Sequence, residues 1–207
     1  PGRDPERTAE LHYNTGYTLA RLGEHFAAAR AYQQCIRMIP DHVDAWFNLG
    51  AVYSEAGALR LAVGAYSRAA ALVPDDPETW NNLGNARAEL GEAAMAIEAY
   101  ERALAASPAY HPAWNNLGNV LQELCRHEEA IRCYDRAIML QGEKEILTLF
   151  NRALCLISSG RAREGLRDMH RWALLPPLPD GGAGPAGPDW KGLLRSLSRR
   201  DRRTGAG

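Results

Sequence analysis

Apolar residues in this chain recur at two nested periods. Over short windows they keep helical spacing: Trp46, Leu49 and Tyr53 stand at i, i+3 and i+7, and Ala62, Tyr66 and Ala69 form a second stripe further on. Each stripe is the mark of an amphipathic helix with one buried face. Over longer range the stripes themselves repeat. Trp46, Trp80 and Trp114 are spaced by 34 residues, and Leu49-Gly50, Leu83-Gly84 and Leu117-Gly118 keep the same step. Ala62, Ala96 and Ala130 follow in register, as do Tyr66, Tyr100 and Tyr134, and then Ala69, Ala103 and Ala137. Pro74 and Pro108 close two of the periods, because proline cannot continue a helix. The pattern extends upstream through Gly16, Ala28, Tyr32, Cys35 and Pro40.

Two helices per period predict stacked helical hairpins. Small residues such as Gly50 and Ala62 let the two helix axes approach to roughly 8–10 Å. One pair cannot bury its own apolar face, so the pairs must stack on one another.

The Trp-Leu-Gly-Tyr and Ala-Tyr-Ala-Pro spacing resembles the tetratricopeptide repeat. That resemblance implies an all-α, right-handed solenoid of about five helix-turn-helix repeats. The repeats are expected at 9–42, 43–76, 77–110, 111–145 and 146–179, after an N-terminal lead of 1–8. The first departs from the pattern at His12 and Thr15. The fourth has Gly142 where proline is expected, with an extra residue before the fifth. In the fifth, Arg152, Gly165, Met169 and Trp172 are off-pattern, while Leu149, Gly160 and Pro177 keep it recognisable. Residues 180–207 are expected to form a Gly/Pro linker and a basic amphipathic tail, with Trp190, Leu193, Leu194 and Leu197 on one face of a short helix.

The segment WNNLGN occurs twice, at Trp80 and Trp114. Asparagine is a mediocre helix former, so helix propensity does not account for it. Two residues after the tryptophan register lie Asn14, Asn48, Asn82, Asn116 and Asn151, one in every repeat. In the family the first helix of each repeat lines the concave face. The resemblance extends to the Asn ladders of the tetratricopeptide arms of O-linked N-acetylglucosamine transferase and kinesin light chain, which bind peptide backbone. A primary amide both donates and accepts, so it can hold a peptide bond whatever side chain the ligand carries. With neighbouring repeats roughly 10 Å apart and an extended chain advancing roughly 3.3–3.6 Å per residue, one asparagine meets about every third ligand residue. By the resemblance these five residues form a ladder for extended peptide, widened by Asn81, Asn85, Asn115 and Asn119, with Tyr13, Tyr17 and Phe47 adding apolar contacts near one end. The competing reading is that the asparagines bond neighbouring helices and hold the repeats in register.

Seven residues beyond the ladder lies an acidic row, Glu55, Glu89 and Glu123. If it flanks the groove, it favours a basic or hydroxyl-rich ligand; otherwise it is a solvated face. Asp44 and Glu78 read better as helix-start charges. Repeats two to four carry no Lys or Arg at the groove positions, and only Arg21 in the first is basic. A cationic clamp for a C-terminal carboxylate, the mode of chaperone-binding members of the family, is therefore not expected.

Composition narrows the remaining classes. A net charge of −1 argues against a general nucleic-acid binder, and no apolar run approaches the ~18–20 residues of a membrane span. The chain begins without methionine or an apolar leader, as a fragment would. Cys35, Cys125, Cys133 and Cys155 lack CxxC pairing, which suits reduced thiols in the cytoplasm, with the nucleus as an alternative. His127-Glu128-Glu129 begins like HExxH, but Ile131 replaces the second histidine, so no metal is expected. No cofactor loop or nucleophile–base arrangement is readable.

The expectation is a non-catalytic interaction scaffold whose partner is a protein or peptide. The alternatives are the substrate-recognition arm of a larger glycosyltransferase and a structural assembly subunit. The open ends would allow self-association, and the tail, docked on the apolar Phe150, Leu154 and Ile157, would either cap the last repeat or compete with such a partner.

Overall fold

A computed structural model of the chain describes residues 5–141 and 146–174; the expected tail, Gly142 and Pro177 lie outside them. Ten helices and no strands occur among the described residues. They form five consecutive pairs: α1 (Pro5–Arg21) and α2 (His25–Met38), α3 (Val43–Glu55) and α4 (Leu59–Leu72), α5 (Pro77–Glu89) and α6 (Ala93–Ala106), α7 (His111–Glu123) and α8 (His127–Gln141), and α9 (Ile146–Ser158) and α10 (Ala162–Leu174). Contacts divide the chain into two compact bodies, residues 1–120 and 121–207, with the division inside α7.

The same local chemistry makes each hairpin. The turn within a pair needs one residue with positive φ, supplied by Gly23, Gly57, Gly91 and Gly160. In the fourth pair the position is Cys125, at φ 58°. Helix starts vary more. Asp76 caps α5 by accepting from the backbone N–H groups of Glu78 and Thr79 at 3.3 and 3.1 Å, with Pro77 in the first turn, where a missing N–H costs nothing. The Nδ1 of His42 accepts from Ala45 N–H at the start of α3.

In the first body, packing within a pair rests on a glycine and a tyrosine. Gly16, Gly50 and Gly84 face the rings of Tyr32, Tyr66 and Tyr100, and a Cβ on any of them would lie within 2.8 Å of ring carbons. Those tyrosines are buried, together with Ala28, Ala62 and Ala96. Between pairs, α2 packs on α3 and α4 on α5. The first helices also meet one another, α1 with α3 and α3 with α5, so they line the inner side of the stack. Each boundary is bridged by an indole: Trp46, Trp80 and Trp114 donate from Nε1 to the carbonyls of Pro40, Pro74 and Pro108.

The second body packs differently in its last pair. Ala153 stands in the glycine register of α9, and Gly165 in the alanine register of α10. The small residues have changed sides. Met169 replaces the tyrosine and is buried, and a Cβ on Gly165 would sit 2.7 Å from the Ala153 carbonyl oxygen. Arg152 occupies the register of Leu49, Leu83 and Leu117, and Asp168 that of Ala65 and Ala99. Their side chains, 17% and 7% exposed, form a two-pronged ion pair at 2.7 and 2.8 Å, and Arg152 also reaches Asp135. A charged pair thus replaces an apolar contact.

Candidate functional site

The inner face of the first body carries the expected amides on α1, α3, α5 and α7. Asn14 is exposed, and its amide makes no bond among the described residues. Asn48 is half-buried and donates from Nδ2 to the Tyr13 hydroxyl at 3.1 Å, back to the preceding pair. Asn116 does the equivalent, donating to Asn81 Oδ1 and Asn85 Oδ1, both at 3.0 Å. Asn85 Oδ1 also accepts from the Tyr100 hydroxyl at 2.8 Å. Asn82 faces the Phe47 register, which offers no acceptor; its Oδ1 takes a long 3.4 Å bond from Asn81, and its Nδ2 is uncommitted.

The row is therefore neither a set of free amides nor a fully closed network. Asn81 is only 5% exposed and serves as an internal acceptor, not an open rung. Asn48, Asn82 and Asn116 are half-buried, each with one polar atom left over: Asn48 Oδ1, Asn82 Nδ2 and Asn116 Oδ1. Asn115 and Asn119, both half-buried, have partners of their own.

The aromatic residues divide between roles. Tyr13 is half-buried, stacked on His42 at 5.0 Å and tilted against Tyr32 at 5.8 Å. Burial raises its hydroxyl pKa, with Asp44 adding and the Asn48 bond opposing. Phe47 packs edge-on to Tyr66 at 5.8 Å and belongs largely to the core. Tyr17 is 49% exposed and open to a ligand. Glu55 and Glu89 are exposed; Glu55 lies 3.2 Å from His25 Nδ1, without hydrogen-bond alignment.

Sequence reasoning missed a cleft of about 220 Å³ at the junction of α1, α2 and α3, lined by Tyr17, Arg21, Tyr32, Asn48, Val52 and Glu55 among others. Its clue was Ala20, with no polar group where later repeats carry Ser54 and Gln122, and Tyr17, a bulky phenol where the third repeat carries Asn85.

In the second body, Asn151 is half-buried with a partner, and Glu123 is exposed. His127 meets Cys155, with Nδ1 3.6 Å from Sγ. Burial raises the Cys155 thiol pKa, and nearby Glu128 adds to it. Among the described residues no group of three potential metal ligands occurs, and no helix is long and apolar enough to cross a membrane.

Helical hairpins stacked with their first helices inward define an all-α repeat protein of the solenoid class. Sequence profiles of the tetratricopeptide repeat match residues 13–77, 77–110 and 111–143, and the chain belongs to that family. No curated protein matches it in sequence. Among solved structures it is similar to MamA, with a TM-score of 0.76 and 23% identity over 83% of this chain and 98% of that one. A second MamA structure gives a TM-score of 0.72 and 25% identity, covering 76% and 91% of the two chains. YrrB, described as a TPR protein with an unusual peptide-binding site, gives a TM-score of 0.66 and 15% identity over 78% of this chain and 82% of its own.

Proposed function

We propose that the chain is a non-catalytic scaffold that binds an extended peptide segment along the inner face of its first helices. The observation that carries this reading is the uncommitted atom left on successive asparagines. Asn14 offers a whole amide, Asn48 and Asn116 an acceptor each, and Asn82 a donor. A peptide backbone presents donors and acceptors along its length and can meet these without regard to its side chains. That a family member of the same fold has a peptide-binding site is in keeping with this reading.

The Asn116 bonds to Asn81 and Asn85 favour a second role for the same row, holding neighbouring repeats in register. The two roles separate by residue. Asn14 and Asn82 bond to no other repeat through their side chains, whereas Asn48 and Asn116 do. The Asn14→Ala/Asn82→Ala variant should keep the wild-type melting temperature and lose binding on an array of extended peptides. Retained binding by that folded variant would move the interaction elsewhere. Glu55 and Glu89, exposed on α3 and α5, would favour basic or hydroxyl-rich segments, so array hits should be poor in Asp and Glu.

A further inference from the structure

The tyrosine that closes each hairpin has a polar neighbour in three of the first four repeats. Tyr100 donates to Asn85, Tyr134 donates to Gln122 at 2.9 Å, and Ser54 bonds the Tyr66 hydroxyl. Tyr32 is the exception. It is 0% exposed and its hydroxyl has no hydrogen-bond partner. The reason is in the sequence: Ala20 stands in the register of Ser54 and Gln122, and Tyr17 in that of Asn85.

A buried hydroxyl without a partner leaves its desolvation penalty uncompensated, and Tyr32 is one of the residues lining the cleft at the α1–α2–α3 junction. The cleft volume of about 220 Å³ falls below the few hundred Å³ of cofactor sites, which suits it to one side chain. Its walls are Ala20, Ala51 and Val52. Its polar groups include Arg21 from α1, Glu55 from α3, and Asn48, whose Oδ1 is uncommitted. The Tyr32 hydroxyl lies in the electrostatic reach of Tyr13, Tyr17 and Glu55, and burial keeps it protonated as a donor.

We propose that this cleft is a specificity pocket for an uncharged primary-amide side chain, glutamine or asparagine, on the bound peptide. The assignment rests on the peptide-binding reading of the inner face and adds which residue that peptide carries. A cationic side chain gains from Glu55 and is repelled by Arg21, and a carboxylate meets the reverse. A primary amide is a dipole and suits both signs. Its carbonyl oxygen accepts from the Tyr32 hydroxyl and the Arg21 guanidinium, and its NH2 donates to Asn48 Oδ1 and Glu55. The half-exposed Tyr17, with no hydrogen bond of its own among the described residues, is the side chain that shifts to uncover the Tyr32 oxygen.

Propionamide, propionate and propylammonium have similar size and differ in charge, and they test the pocket without a peptide. Each is titrated into protein labelled at tyrosine Cζ and followed by NMR. Propionamide should saturate shifts at Tyr32 and Tyr17 with about 10-fold tighter binding than either ion; in Tyr32→Phe the Tyr17 shift should no longer saturate, while the melting temperature stays at or above that of the wild type because an unpartnered buried hydroxyl is removed. No saturable shift would mean that the cleft holds water only, and ions binding as tightly as the amide would also overturn the pocket. A Ser/Gly nonapeptide with Gln or Leu at its centre then separates the two readings. A Gln preference that disappears in Tyr32→Phe supports the pocket, and equal binding of both peptides overturns it. If propionamide binds and neither peptide does, the pocket stands and the ladder falls.

Discussion

Gly84 lacks a Cβ where the Tyr100 ring lies: a methyl group there would sit 2.5 Å from Tyr100 Cε1. The same exclusion joins Gly50 to Tyr66 and Gly16 to Tyr32. Gly84→Ala should therefore destabilise the protein by about 1–3 kcal/mol through overpacking. Gly64 in α4 has open space around its Cβ position, so Gly64→Ala should stabilise by about 0.5–1 kcal/mol from helix propensity. Urea denaturation of the two variants checks the contrast. Adding Tyr100→Met to Gly84→Ala should restore part of the loss, because the last pair already holds Ala153 with Met169.

The Arg152–Asp168 pair makes an opposite forecast for single and double changes. Arg152→Leu leaves a buried carboxylate unpaired and should cost about 3–5 kcal/mol. The double variant Arg152→Leu/Asp168→Ala installs residues that earlier repeats carry at those registers. It should fall within about 1 kcal/mol of wild type or exceed it. A double-mutant cycle by chemical denaturation gives the coupling directly.

Cys125 holds a left-handed backbone that glycine supplies in the other four hairpin turns. An L-residue there is strained by about 1–2 kcal/mol, and glycine's greater unfolded-state freedom returns about half of that. Cys125→Gly should raise stability by about 0.5–1 kcal/mol. It also removes an exposed thiol, so labelling by a thiol reagent under native conditions should drop in parallel.

Alkaline pH should weaken the first body through its buried tyrosines. Burial pushes the Tyr66 hydroxyl up to about 12; the Ser54 hydrogen bond offsets part of this, and Glu55 and Glu78 add to it. A folded-state pKa above the ordinary 10.0 means the contribution is complete below pH 10 and is lost as pH rises through about 12. The melting temperature should fall across that window, and Tyr66→Phe should flatten the fall. Tyrosinate absorbance followed after a pH jump reads the delayed ionisation.

Much of the fold was legible because the packing rules are periodic. Gly50 facing Tyr66 and Gly84 facing Tyr100 follow from one spacing, and hairpins must stack to bury what that spacing exposes. The last pair was hard to read for a physical reason. Arg152, Gly165 and Met169 look like three separate losses of pattern, yet each compensates another, with Asp168 answering Arg152 and Gly165 answering Ala153. Of the candidate site, the asparagine row was visible and its internal bonds were not. Whether an amide bonds backward depends on the preceding residue one register away, Tyr13 for Asn48 and Asn81 for Asn116, with Phe47 unable to serve Asn82. The Tyr32 cleft needed the reverse inference, from a partner that Ala20 lacks and Tyr17 does not provide.

The indole bonds from Trp46, Trp80 and Trp114 to the preceding proline carbonyls make each of those joints a bolted one. At the entry to α9 the register holds Leu149, which has no side-chain N–H to give. Under a load applied to its ends, such a chain would not stretch evenly. Each indole-pinned joint must break a hydrogen bond before its helices part, whereas α9 holds α8 through the Arg152–Asp135 ion pair.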